Sequence, residues 1–257
     1  MGLLDDKVTI ITGAGRGIGA AAARLFAAEG ALLVLTARTG SEVRRLAAQL
    51  RATGGTAVAV AADISTAEGA EAPVEAALKE YGRLDAAFDN AGSGPLPAPL
   101  ADRTEADWDA VHSVNLRGSW LSLRAQLRAM TAAGRGGSIV VNSSVGGLLG
   151  GFGDGTQQAA KHGLIGLVRA ATADYAAHGI RTNAIAPGVA RTSATEDWFD
   201  AGPEFEAAVS RAVPLGRTAR PTEIAEAAAW LLSDRASYVS GVVLPVDGGL
   251  TAARSFR

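Results

Sequence analysis

Cysteine is absent from the chain, which excludes a disulfide framework, thiolate metal ligation and covalent catalysis through sulfur. Histidine is scarce. His112, His162 and His178 stand apart, with no paired spacing that would build a metal site. Charge of neither sign dominates: 24 Lys and Arg against 26 Asp and Glu leave a net charge of −2, and no basic block occurs. A nucleic-acid backbone would have no broad cationic surface to bind. No apolar run approaches membrane-spanning length, and the segment from Met1 to Lys7 lacks a positive stretch followed by an apolar one. These absences lead us to expect a cytoplasmic protein in a reducing compartment, with neither nucleic acid nor membrane as a partner.

What is present is a core-forming composition, 48% hydrophobic and 19% charged, rich enough in Ala, Leu and Val to bury a sheet between helices. Short β-rich apolar runs alternate with longer alanine-rich stretches, the beat of strand and helix crossovers. Strands are expected at residues 8–12, 31–36, 56–61, 86–89, 137–143, 182–186 and 242–246. Between them, helices are expected from the glycines after the first strand to about residue 29, then at 41–53, 67–81, 105–132, 157–177 and 222–232. No repeat or Pro/Ser-rich linker divides the pattern, so residues 1–257 read as one domain. The expected fold is α/β, a doubly wound seven-stranded parallel sheet with helices on both faces.

The first strand runs into Thr12-Gly13-Ala14-Gly15-Arg16-Gly17-Ile18-Gly19. Glycines there let the backbone turn sharply and approach a phosphate, whose charge the helix N-terminus favours. Alone, such a loop also suits a tight turn. Further motifs accompany it: Asp89-Asn90-Ala91-Gly92 after the fourth strand, Asn115 in a helix, Ser144 after the fifth strand, Lys161, Pro187-Gly188 with Thr192, and Asp247-Gly248-Gly249. Together they make the chain resemble the short-chain dehydrogenase/reductase family over almost its whole length, which implies a single-domain Rossmann-type fold binding a nicotinamide dinucleotide. The resemblance implies that Gly13, Arg16, Gly17, Ile18 and Gly19 hold phosphates. It also implies that Asp63 and Ile64 contact adenine, that Asn90, Ala91 and Gly92 form a cofactor wall, and that Pro187, Gly188 and Thr192 face the nicotinamide. Asp89 departs from the asparagine usual at its position.

Cofactor choice follows from charge. A carboxylate at the end of the second strand would bind a ribose diol and repel a 2′-phosphate; here Ala37 stands there, followed by Arg38. Arg38 and Arg16 can clasp that phosphate with charge-assisted bonds, so NADP(H) is expected. Solvated surface arginines are the plainer reading of the pair. Asp63 also suits the cap of the next helix.

By resemblance, Lys161 would hold the nicotinamide ribose, Ser144 would hydrogen-bond the reacting oxygen and Asn115 would support a water path. Gln157 occupies the position where the family's proton-transferring tyrosine is expected. Four residues before Lys161, it shares that helix face, but an amide has no acid-base equilibrium near neutral pH. Asp154, His162, Tyr81, Tyr175 and Tyr238 are the other ionisable groups weighed as replacements, none of them compelling.

Three readings follow. One is an NADPH-dependent imine reductase, because a protonated cyclic imine accepts hydride without an enzymatic acid. Another is a carbonyl reductase or alcohol dehydrogenase altered at residue 157. The last is a nucleotide-binding protein that has lost hydride transfer. The resemblance places a substrate lid near 190–220, where Glu196, Asp197, Asp200, Glu204 and Glu206 lie beside Trp198, Phe199 and Phe205; these would favour a cationic, partly apolar substrate, or form an amphipathic surface. It also implies a homotetramer packed through residues 225–249.

Overall fold

In the computed structural model, which describes residues 2–151, 154–192, 195, 199 and 203–253, the chain alternates strand and helix. The first half runs β1 (Val8–Thr12), α1 (Gly17–Ala28), β2 (Leu32–Ala37), α2 (Gly40–Ala52), β3 (Thr56–Ala61), α3 (Ala67–Tyr81) and β4 (Ala86–Asp89). Then come α4 (Glu105–His112), α5 (Ser119–Ala133), β5 (Gly137–Asn142), α6 (Gly155–Tyr175), β6 (Ile180–Pro187), α7 (Pro203–Ala212), α8 (Pro221–Leu232) and β7 (Val243–Val246). The strands form one seven-stranded parallel sheet in the order β3-β2-β1-β4-β5-β6-β7.

Adjacent residues of a strand face opposite ways, so Ile10 and Ile11 of β1 feed two separate cores. Ile11 packs with Phe26, Leu33 and Leu35 beneath α1 and α8. Ile10 packs with Met130, Ile139, Leu164 and Val168 beneath α5 and α6. Covering both faces explains why β1 is buried at every position. The chain winds from β1 outward to β3 and then returns to lay β4 on the other side of β1. That reversal opens a crevice at the carboxyl ends of β1 and β4.

Two features depart from the expected elements. The helix expected over 105–132 is interrupted: α4 and α5 are joined by a π-helical stretch, Ser113–Gly118. Asn115 lies within it, its carbonyl accepting from the Ser119 hydroxyl at 2.8 Å. A π-turn is a local change of hydrogen-bond partner, too short for an apolar period read over a longer window to reveal. α7 is a helix that the pattern of strands and helices did not anticipate. Its Val209, with Val213 just beyond it, packs on Val145 and Leu250, above the end of β5. Glu196, Asp197, Trp198 and Asp200 lie outside the described residues. Asp63 does not cap α3; Thr66 does, accepting from Gly69 N at 3.0 Å. Asp63 instead accepts from Ser65 N at 3.0 Å in the preceding turn.

Candidate active site

The crevice is a cleft of about 460 Å³ running from the loop after β2 to the ends of β5 and β6. Its floor depends on two glycines. Gly13 has a left-handed φ of 64°, and a Cβ there would lie 2.8 Å from Ala91 Cα. A Cβ on Gly19 would lie 2.2 Å from Gly13 O, so Gly19 sits beneath the loop, behind the cleft surface. No side chain caps α1. The orphan N–H groups of its first turn thus suit an anion, and Gly15, Gly17 and Ile18 line the cleft there.

Asn90 ties the floor together. Its amide donates to the carbonyls of Thr12 (3.1 Å) and Gly13 (3.3 Å), and it accepts from Asn142 Nδ2 at 2.9 Å. The N–H groups of Asn90 and Ala91 both donate to the Thr12 hydroxyl at 3.0 Å. Asn90, Ala91 and Gly92 thus form a wall of the cleft, with the Asn90 side chain spent on holding the wall in place.

At one end, Arg16 and Arg38 are both exposed and both border the cleft, with Ala37 between the β2 core and Arg38. Asp63 and Ile64 border the same end. Burial opposes the Asp63 charge, but hydrogen bonds from Ser65 and the nearby Arg38 guanidinium outweigh it and hold the carboxyl below its usual range. Sequence reasoning missed Glu42, whose side chain lies against Gly15 in this end of the cleft. Its place in the first turn of α2, four residues after Arg38, was the available signal.

Ser144, Gln157 and Lys161 meet at the other end, with Pro187, Gly188 and Thr192 opposite. Ser144 takes an extended conformation and accepts from Gly146 N at 3.1 Å. That bond uses a lone pair and leaves the hydroxyl proton to donate. The amide of Gln157 rests on the backbone of Gly94: a Cβ there would lie 2.6 Å from Gln157 Nε2. Lys161 is only 7% exposed. Its Nζ donates to Asn142 O at 2.6 Å, and its own carbonyl accepts from the Ser143 hydroxyl at 2.9 Å. Burial pulls its ammonium down to about 8.

Asn115 is fully buried and stands behind this wall without lining the cleft. Its Oδ1 accepts from Ser93 N at 2.8 Å and its Nδ2 donates to Ser93 O at 2.6 Å. Oδ1 and the Lys161 ammonium nevertheless converge on Gly92, 3.3 Å and 3.5 Å from where a Cβ would stand.

None of the residues weighed as replacements for a missing phenol, Asp154, His162, Tyr81, Tyr175 and Tyr238, lines the cleft. Asp154 pairs with Arg103 Nε at 2.5 Å. Burial opposes its charge, yet the Thr156 hydroxyl, Arg103 and the Thr156 N–H hold its carboxyl below the usual range. His162 is exposed and bonds to Gln158 O at 2.9 Å. Tyr81 donates to Leu33 O at 3.3 Å, and Tyr238 is fully exposed. Among the described residues no group of His, Cys, Asp and Glu could hold a metal ion, and no helix is long and apolar enough to cross a membrane.

A nicotinamide dinucleotide fits this cleft. The glycine floor admits a pyrophosphate, the uncapped α1 favours its charge, and a lysine and a serine donor wait at the far end. A bound cofactor of this kind supplies or takes a hydride.

Comparison with known proteins agrees with that geometry. A family model described as Enoyl-(Acyl carrier protein) reductase matches residues 13–251. The A-factor type gamma-butyrolactone 1′-reductase (1S-forming) of Streptomyces virginiae is 47% identical over 250 residues, covering 97% of each chain. The 2,5-dichloro-2,5-cyclohexadiene-1,4-diol dehydrogenase of Sphingobium indicum is 40% identical over 249 residues, covering 97% of this chain and 98% of its own. The crystal structure of levodione reductase superposes with a TM-score of 0.92 at 38% identity, covering 97% of this chain and 99% of that one. Fold, cleft and relatives agree that the chain belongs to the short-chain dehydrogenase/reductase family of NAD(P)-dependent oxidoreductases.

Proposed function

We propose that the protein transfers hydride between NADP(H) and the carbon of a carbonyl group, or of the matching alcohol, on a ring-bearing substrate. The observation that carries this reading is the likeness to relatives named for reducing or oxidising carbon-oxygen bonds on a gamma-butyrolactone or a cyclohexadiene diol, at 47% and 40% identity along nearly the whole chain. The site supports it. Ser144 donates its free proton to the reacting oxygen, Gln157 adds an amide N–H, and Lys161 places a buried positive charge beside them. Arg16 and Arg38, with Ala37 where a carboxylate would stand, favour a 2′-phosphate. α7 over Val145 serves as part of a substrate lid spanning 190–220.

A second reading keeps its own support. Gln157 cannot transfer a proton at neutral pH, and reduction of a protonated cyclic imine needs none. Turnover of matched ketone and imine panels, with NADPH and NADH, separates the two. Ketone reduction by the native chain supports the carbonyl reading; imine reduction alone replaces it. Tight NADPH binding with no turnover of either panel assigns a non-catalytic role. In the carbonyl reading, Gln157→Tyr raises ketone turnover by roughly 10²–10⁴-fold at neutral pH, the usual worth of a general acid.

We also propose a homotetramer. Trp230 and Tyr238 are 36% and 103% exposed, and β7 leaves an open sheet edge within 225–249. Light scattering of the purified protein tests it, and a monomeric mass would refute it.

A further inference from the structure

Two loops frame the end of the cleft that holds Ser144 and Gln157, and neither carries a charge: residues 91–101 and 143–153 contain no ionisable side chain. The segment 212–216 after α7 has none either. Apart from the buried Lys161, the ionisable side chains among the described lining residues are Arg16, Arg38, Glu42 and Asp63, all at the opposite end. Leucine stands where charge is missing. Of the five described leucines that are 36% exposed or more, four lie on these segments: Leu96 (62%), Leu100 (65%), Leu149 (36%) and Leu215 (67%).

Contacts tie each of them to the catalytic end. Gly94 supports the Gln157 amide, 2.6 Å from Nε2 to where a Cβ would stand, and Leu96 is two residues on. Pro95, Pro97 and Pro99 fix their own φ and steer Gly94, Leu96 and Ala98 towards extended backbone. Arg103, paired with Asp154 at the start of α6, also donates to the Leu96 carbonyl. This loop is therefore bound to the helix that bears Gln157. Leu100 Cδ1 lies 3.0 Å from where a Cβ on Gly155 would stand, two residues before Gln157. The Leu149 N–H donates to Val145 O at 2.9 Å, and Val145 lines the cleft. The Leu215 N–H donates to Gly248 O at 3.1 Å, and Leu215 follows Val213, which packs with Val145. A ligand that covers leucines on pinned segments has little chain left to order.

We infer that the substrate carries, beyond its reacting ring, an uncharged apolar arm that emerges from the cleft beside Gln157 and covers the leucines of this rim. The carbonyl reading above supplies the reacting group; the arm is read from the rim. A carboxylate or ammonium on the arm would leave water for segments that carry no charge, whereas a run of methylenes gains by the area it removes from water. A second copy of the chain is the other occupant that exposed leucines suit. Continuity with the cleft favours the substrate, because Gly94 and Val145, from which the rim rises, line the cleft itself.

A series of 4-alkylcyclohexanones from methyl to hexyl tests the arm, with a 4-(carboxyalkyl)cyclohexanone of equal carbon number as its charged counterpart. Kd in the NADPH complex is read from cofactor fluorescence, and kcat/KM from NADPH oxidation. Both should improve roughly two- to fourfold per methylene, up to the worth of one CH₂ removed from water, and the charged arm should bind roughly tenfold or more weakly than hexyl. The kinetic gain should sit in KM, since the arm is held alike in ground and transition states. Leu96→Ser combined with Leu100→Ser should cut the hexyl-to-methyl ratio roughly tenfold at unchanged oligomeric mass. A flat series in Kd, or a charged arm bound as well as hexyl, overturns the apolar arm whatever the turnover. An unchanged ratio in the double variant removes the arm from this rim and overturns the assignment; a flat series with a smaller mass for that variant does so in favour of a subunit contact. Affinity that rises along the series with no ketone turnover in any member overturns the carbonyl reading alone and leaves the arm standing.

Discussion

Arg38 and Glu42 both line the end of the cleft that would take the adenosine ribose. A charge-assisted bond to the phosphate contributes roughly 1.5–3 kcal/mol. Arg38→Ala is therefore expected to weaken NADPH binding by roughly 10- to 100-fold while leaving NADH nearly unchanged, as read by fluorescence titration. Glu42→Gln, which removes the carboxylate lying against Gly15, should tighten NADPH in the same assay. Asp89 makes a different prediction. Its Oδ1 accepts from Gln126 Nε2 at 2.8 Å, while Asp89 Oδ2 and Gln126 Oε1 are buried without partners. A proton on Asp89 turns one of those acceptors into a donor. Burial pushes its carboxyl up to about 7, against the opposing Gln126 amide. An unfolded aspartate titrates near 4, so the folded chain holds an extra proton between these values. The stabilisation is complete below about pH 4 and is lost as pH rises through about 7. Urea midpoints measured from pH 4 to 8 should show this fall in the native chain and a flatter profile in Asp89→Asn.

At the scale of elements, α1 and the π-helical stretch each position one half of the cleft. Adding a methyl group at Gly19 would place it 2.2 Å from Gly13 O and 2.7 Å from Asn90 Nδ2, so the loop or the Asn90 clamp has to move. Gly19→Ala is expected to destabilise the chain by roughly 1–3 kcal/mol, the range for overpacking, and to weaken dinucleotide binding. Chemical denaturation and cofactor titration of the same variant check both. The π-helical stretch carries Asn115, whose two bonds to the Ser93 backbone hold the loop after Gly92. That loop in turn supports Gln157 through Gly94. Neither link is visible in the residue pattern, because each joins segments far apart in sequence, Asn115 with Ser93 and Gln157 with Gly94.

At the scale of the whole molecule, the sheet reversal between β1 and β4 brings the glycine loop and Ser144, Gln157 and Lys161 into one cleft. Binding across it couples cofactor to folding. NADPH at a hundred times its Kd should stabilise the native chain by about 2.7 kcal/mol, seen as a rise in Tm. NADH at the same concentration should give a smaller rise.

Alternating apolar runs and glycine spacing were enough to read the seven parallel strands and the glycine loop, because strand period and tight turns are local properties of the chain; the grouping of Ser144, Gln157 and Lys161 came from the family resemblance. The placement of Asn115 behind the cleft, of Glu42 within it and of Asp154 against Arg103 was decided by tertiary structure. Each depends on segments far apart in sequence meeting at one point: Asn115 with Ser93, Glu42 with Gly15, Arg103 with Asp154. The burial of Lys161 is of the same kind, since it takes the ends of β5 and α6 and the loop after β4 to enclose one ammonium. An amino-acid pattern names that lysine; only the enclosure lowers its hold on a proton.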